Sequence, residues 1–320
     1  MVLMDKPNEK TSLEATYKSR DTEEWLDIYF TRPIGFWWAI FFNKFDIHPN
    51  VVTVISIFLG VGAGVFFYYD DLCYNLIGVL LLMWANFYDS ADGQLARMTG
   101  KKTQWGRILD GFAGDLWFYS IYFFVCLRLM KQPIPGTEEL WGFWIFPIAA
   151  FSGMVCHAKQ CQLADYYRNI HLFFLKGELG SELDNTVQQR ELRRQTPKKG
   201  NFWWRAFLWG YGNYTESQEK MTPSFQALIH YIKYERKGQV SERFRTAFRK
   251  SSLPLMPYTN ILTFNCRAIT LYVGCLLNIP WIYFFMELTV FNGLAFYMHR
   301  IHEKMCKQFL VRLKRGDFDK

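Results

Sequence analysis

The sequence has no Cys-x-x-Cys pair and no internal repeat, and its first ten residues, MVLMDKPNEK, hold no apolar core of a signal peptide. The first spanning segments are therefore expected to act as the insertion signal. The seven cysteines, Cys73, Cys126, Cys156, Cys161, Cys266, Cys275 and Cys306, fall mostly in or beside apolar runs. They read as small buried hydrophobes rather than disulfide or metal partners. His299 and His302 stand three apart and read as interfacial residues rather than zinc ligands. Charge is missing in whole blocks: Val51 to Tyr69 has none, and neither has Leu72 to Tyr88, which ends in charge at Asp89. A soluble fold would spread its apolar residues periodically, so these blocks argue against one. Each is close to the roughly 20 residues that cross a bilayer.

What is abundant fits the same medium. Aromatics make up 19% of the chain, and many Trp and Tyr stand at the ends of the apolar blocks, where amphipathic rings favour the membrane–water boundary. The formal net charge of +8 could suit nucleic acid, but beside such blocks it suits the anionic membrane face, and no nucleic-acid partner is expected. The expected architecture is all-α. It is a polytopic membrane protein of about six transmembrane helices, preceded by an amphipathic helix lying on the membrane.

Residues 1–46 form a polar start followed by that amphipathic segment, in which Trp25, Tyr29, Phe30, Phe36, Trp37 and Trp38 mix with Asp27, Arg32 and Lys44 and Pro33 interrupts. Residues 47–168 hold spans one to four. Residues 169–257 are a long polar insertion with basic clusters such as RELRRQTPKKG, and residues 258–320 hold spans five and six and a basic tail. Six spans put both termini on one side. The opposite loops then hold only Arg128 and Lys131 among the Lys and Arg, so the termini and the insertion are expected to be cytoplasmic. In a bacterium the membrane would be the inner one. Gly60, Gly62 and Gly64 in span one permit close helix packing.

The chemistry concentrates in DSADGQLARMTGKKTQWGRILDGFAGD, residues 89–115. An Asp or Arg at a bilayer centre costs roughly 2.5–3.5 kcal/mol. Several such groups weaken insertion and add nothing to packing, so a site for cations and a polar substrate is the economical explanation. Asp89 and Asp92 share a helix face, as do Gly106 and Asp110. Two such faces meeting would gather three carboxylates, a donor set suited to Mg²⁺ or Mn²⁺. Gly93 and Ala96 leave room for a ligand against the backbone.

This pattern resembles the signature of the CDP-alcohol phosphotransferase (CDP-alcohol phosphatidyltransferase) family, D-x2-D-G-x2-A-R-x8-G-x3-D-x3-D. The chain supplies Asp89, Asp92, Gly93, Ala96, Arg97, Gly106 and Asp110 in register, and His48-Pro49-Asn50-Val51-Val52-Thr53 is similar to the family's opening of its first span. The last signature Asp would fall at Gly114, whereas the acid is Asp115. One extra residue in the turn, a π-bulge, would bring Asp115 onto the shared face. The resemblance implies a metal-dependent displacement. Asp89, Asp92, Asp110 and Asp115 would ligate Mg²⁺ or Mn²⁺, and Asp115 or Asp110 would serve the chemistry. Asn50, Thr53, Gly93, Ala96, Arg97 and Gly106 would bind the CDP substrate, with Arg97 either contacting a phosphate or tying the carboxylates together. Arg168 and Arg267 would face an acceptor. The donor would be a CDP-linked lipid or a CDP-linked head group, and the acceptor an inositol or glycerol phosphate type of alcohol or a lipid alcohol. CMP would leave. The resemblance also allows a homodimer.

Two other classes answer to parts of the pattern: a transporter whose acids bind a cation, and an inactive scaffold that lost its base at Gly114. A cation path has no use for the small residues and Arg97 at that spacing. For Arg267 a structural pairing with Glu287 and Asn292 of span six is the alternative to a substrate contact.

Overall fold

The computed structural model describes residues 19–101, 103–177 and 181–319. The polar start before Ser19 lies outside them. The described residues are helical throughout apart from turns and one isolated bridge between Pro133 and Leu140, which meets the all-α expectation. They form two compact units: residues 19–155 with Ala268–Met286, and Cys156–Arg267 with residues 287–319.

The first unit is built on four helices: α1 (Arg32–Lys44), α2 (Pro49–Phe67), α3 (Leu72–Thr99) and α4 (Gln104–Leu129). Each start has a local cause. His48 Nδ1 accepts from the Asn50 N–H, Asp71 Oδ1 accepts from the Cys73 and Tyr74 N–H groups, and Thr103 Oγ1 accepts from the Gly106 N–H. Gly100, in the left-handed region at φ 70°, ends α3. The glycines of α2 permit close packing, as the sequence suggests. A Cβ on Gly60 would stand 2.1 Å from the Trp117 ring, and one on Gly64 would stand 2.4 Å from Ser120 Oγ. Ser120 Oγ donates to the Val61 carbonyl at 2.8 Å.

The amphipathic start is one helical run rather than two. Pro33 sits in the first turn of α1, and the π-helical turn Asp27–Thr31 precedes it. The wide turn takes up the backbone whose α-type bonding the proline ring would break. Gly35, Ala39 and Phe42 are buried while Trp25, Tyr29 and Trp37 are exposed.

Arg128 differs from its expected place in a loop. It lies in the last turn of α4, 4% exposed. Its guanidinium donates to the Phe67 carbonyl and Asn75 Oδ1, and to the Cys275 carbonyl and Asn278 Oδ1. It thus binds the carbonyl ends of α2 and of the later α12 (Phe264–Leu276), where helix C-termini favour a cation.

Three helices are long and apolar enough to cross a membrane: Pro49–Phe67, Leu72–Thr99 and Trp105–Leu129. They are consistent with a membrane protein. The segments expected as spans four to six are also helical, but in pieces. The fourth contains α5 (Ile145–Ala150), the π-helical turn Phe151–His157 and α6 (Ala158–Lys176). The fifth is α12, whose 13 residues reach only ~20 Å. The sixth joins α13 (Trp281–Met286), the π-helical turn Glu287–Phe291 and α14 (Asn292–Lys314).

The second unit packs α6 against α10 (Glu242–Ser252), α11 (Met256–Ile261) and α14; α7 (Thr186–Gln195) pairs with α8 (Phe202–Met221), and α9 (Pro223–Tyr234) packs on α14. The insertion is therefore folded, around a core that includes Phe174, Phe244, Phe248 and Phe309. His302 is 1% exposed and stacks on Tyr167 with ring centroids 3.8 Å apart, while Tyr167 Oη and His299 Nδ1 share a hydrogen bond of 2.7 Å. His302 is a core residue, not an interfacial one, because a flat neutral ring packs well on another.

Candidate functional site

The acidic motif occupies the C-terminal third of α3 and the start of α4. Asp89 falls ~27 Å along α3 and Asp92 ~31 Å, so a ~30 Å hydrocarbon layer entered at Leu72 would have both near its far edge. Asp110 lies in the second turn of α4. The first turns of α2 stand between these helices. Asn50 Nδ2 donates to Thr103 Oγ1 at 3.3 Å, and Thr53 Oγ1 donates to Asp92 Oδ2 while also approaching the Pro49 carbonyl. A Cβ on Gly106 would stand 2.8 Å from Asn50 Oδ1, so a larger residue there would displace the Asn50 side chain. Asn50, Thr53, Asp92 and Gly106 thus meet in one place. The Pro-Asn and Thr of the α2 opening serve both motif helices.

Asp89, Asp92 and Asp110 act on one another electrostatically. Asp92 is 4% exposed; Asp89 is half-buried and Asp110 is exposed. Gly93 lies beside Arg97, whose guanidinium would be 3.5 Å from a Cβ on the glycine. Ala96 is half-buried on the same helix. Among the described residues no three His, Cys, Asp or Glu side chains are gathered tightly enough to hold a metal ion. The chemistry of the donor set nonetheless fits a hard divalent cation, since three carboxylates that repel one another are relieved by one.

The π-bulge expected before Asp115 is absent. α4 is α-helical from Gln104 to Leu129 without a wider turn. On a regular helix five residues turn ~500°, leaving Asp115 ~140° from Asp110, whereas position 114 lies only ~40° away. Gly114 is half-buried and Asp115 exposed, as this rotation requires. The fourth metal ligand expected from the sequence therefore lacks the wide turn that would rotate it onto the face of Asp110. A helix backbone that keeps every i→i−4 bond gains nothing from widening at Gly114.

Arg168 and Arg267 belong to the second unit. Arg168 donates to Asn260 Oδ1 at 2.8 Å. Arg267 is fully buried. Its guanidinium is ion-paired with Glu287 and donates to Gln160 Oε1 at 2.7 Å and to the Leu262 carbonyl. His157 Nδ1 stands 3.3 Å from the same Glu287 carboxylate. The pairing with Glu287 is the structural alternative raised by the sequence; Asn292 joins through Gln160, whose Nε2 donates to Asn292 Oδ1 at 2.7 Å.

Sequence reasoning missed His48 and Thr103 as caps, and the Gln94 side chain as a donor to the Arg32 carbonyl. The first two are polar residues directly ahead of helical runs, a readable signal. The last carries none, since Gln94 and Arg32 come together only when α1 folds on α3.

Residues 46–165 match the CDP-alcohol phosphatidyltransferase family. The matched stretch holds α2, α3 and α4 and so the whole motif. The family carries out phosphatidyl transfer from a CDP-alcohol in lipid synthesis and generally uses a divalent metal. The chain is also similar to an uncharacterized protein of Aquifex aeolicus (strain VF5), 45% identical over 71 residues, which cover 22% of this chain and 34% of that protein. The chain thus spans about a third of the length of the curated relative it matches. No solved structure gives a significant match.

Proposed function

We propose that this protein transfers a phospho-alcohol group from a CDP-alcohol to an acceptor alcohol, releasing CMP, in the synthesis of a phospholipid or sphingolipid head group. The observation that carries the reading is the convergence of Asn50, Thr53, Asp92 and Gly106 within the stretch that matches the family. A cation path alone would need the acids but not this small-residue surface.

In this reading Asp89, Asp92 and Asp110 hold Mg²⁺ or Mn²⁺. Bound there, the cation would offset negative charge on the diphosphate oxygens. Thr53 fixes one oxygen of Asp92 and so sets which oxygen remains for other partners. The cytidine end lies against Gly93 and Ala96, near Asn50, and Arg97 meets a phosphate. The acceptor hydroxyl gives its proton to Asp110, the exposed carboxylate that a regular α4 keeps at the site, and its oxygen attacks the β-phosphorus. The bond to the CMP oxygen breaks and CMP leaves. Arg267 is set aside as an acceptor contact, since its donors are already taken up by Glu287, Gln160 and Leu262. The chain crosses the membrane six times with both termini and the insertion in the cytoplasm.

The test is CMP release from purified protein supplied with CDP-diacylglycerol or CDP-choline and an acceptor. Release should stop with EDTA and return with Mg²⁺ or Mn²⁺. Asp92→Asn should lower it by orders of magnitude while the protein stays folded. Full turnover in chelator would remove the metal from the reading, and no CMP from any donor would remove the reaction.

A further inference from the structure

We propose that the tip of the α7–α8 hairpin docks on an anionic lipid surface, where Phe202, Trp203 and Trp209 enter the headgroup layer and Lys198 and Lys199 meet lipid phosphates. This goes beyond the CDP-alcohol reading and does not depend on it.

The hairpin is closed by its own polar contacts. At its base the Glu219 carboxylate accepts from the Thr186 N–H at 2.9 Å and from Thr186 Oγ1 at 2.7 Å. Farther along, Arg190 pairs with Glu216 at 2.7 Å. Near the turn the Arg205 guanidinium donates to the Arg193 and Thr196 carbonyls, at the end of α7 where helix carbonyls lack partners within the helix. The start of α8 is thus fastened to the end of α7, and the face that α8 turns outward is fixed.

That face is apolar. Leu208, Gly212 and Thr215 are buried on one side of α8. Phe202, Trp203, Ala206 and Trp209 fall within ~120° of arc on the opposite side. The three rings are 70%, 65% and 58% exposed. Other rings of the same helix are used internally: Trp204 stacks on Phe207 with centroids 5.3 Å apart, and Phe207 on Tyr211 at 5.7 Å. Large rings gathered on an outward face of a polar segment mark an interaction surface.

The charge beside the rings names the partner. Between Arg190 and Arg205 stand six Lys and Arg and one acid, Glu191. Arg190 and Arg205 are engaged within the hairpin, whereas Lys198 and Lys199 are exposed in the turn just ahead of Phe202. Rings on one helix face with cations at its edge suit the boundary of an anionic bilayer: indole sits at headgroup level, and the surface potential holds the lysines. In a chain whose other helices are apolar enough to cross a bilayer, such a surface stands at high effective concentration.

The experiment uses the full chain in nanodiscs, with Trp203→Cys labelled by bimane and the exposed Cys73 replaced by Ser. The same chain without the added cysteine is the blank. In discs of phosphatidylcholine with phosphatidylglycerol, a lipid nitroxide at headgroup depth should quench the label. Quenching should fall several-fold in phosphatidylcholine alone or in about 1 M salt. Lys198→Gln with Lys199→Gln should lower the ratio of docked to undocked hairpin on the order of tenfold. Should the label at 203 prevent folding, Trp209→Cys reads the same face. A label that stays water-exposed and unquenched in anionic discs overturns the proposal. So does equal quenching in neutral discs, which leaves the lysines no role. Blue-shifted emission without nitroxide quenching would mean that protein covers the rings, a second copy if it needs two chains per disc, and overturns it as well.

Discussion

Exchanging Gly114→Asp with Asp115→Gly should raise turnover, and the reason lies in the regularity of α4. The exchange moves one carboxylate by one residue without changing composition. Both residues are poor helix formers, so their propensities nearly offset and stability should move by no more than about 0.5 kcal/mol. A Cβ at position 114 meets nothing within 4 Å, so the aspartate fits. Its direction changes from ~140° to ~40° relative to Asp110, onto the face that carries the motif. A positioned general base is worth typically 10²–10⁴-fold, so a second carboxylate there can raise CMP release by up to about that factor. Asp115→Asn alone should cost less than about tenfold. The assay is CMP release under saturating donor, with thermal unfolding in detergent to verify folding. If Asp115→Asn abolishes turnover while CDP still binds, and the exchange also abolishes it, α4 widens during the reaction and Asp115 is the base.

Three further outcomes follow from the packing. Arg128→Met should lower stability by about 2–4 kcal/mol, because it strands the Phe67 and Cys275 carbonyls and Asn75 Oδ1, which are now paired, read as a drop in unfolding temperature in detergent. Gly60→Ala should cost about 1–3 kcal/mol by forcing the Trp117 ring off α2, and an unchanged melting temperature would mean the two helices are not in contact. His302, beyond the expected end of span six, is pushed down to about 3 by burial first and by His299 second. Its folded value lies below the unfolded one of about 6.5, so the unfolded chain binds the extra proton between these values and stability falls as pH drops through that window. The loss should approach ~1.4 kcal/mol per pH unit, and His302→Phe, which keeps a ring on Tyr167, should flatten it.

The sequence alone determined what depends on local order. Apolar blocks marked the three helices long and apolar enough to cross a membrane, because insertion is decided segment by segment. The spacing of Asp89, Asp92, Gly93, Ala96, Arg97, Gly106 and Asp110 marked the likeness to the family whose model matches residues 46–165, because helical periodicity converts spacing into a shared face. The small residues of α2 marked close packing for the same reason. Tertiary structure decided the rest. Thr53 meets Asp92 across 39 positions, Gly35 of α1 comes up against Ser90 of α3, and Arg267 is enclosed by Glu287 and Gln160. Each of these partners is chosen by which helices touch, and no period within one helix encodes that choice. The backbone at Asp115 was likewise decided by the fold: an extra residue between two acids is compatible with a bulge or with a rotated side chain, and the unbroken hydrogen-bond ladder of α4 takes the second.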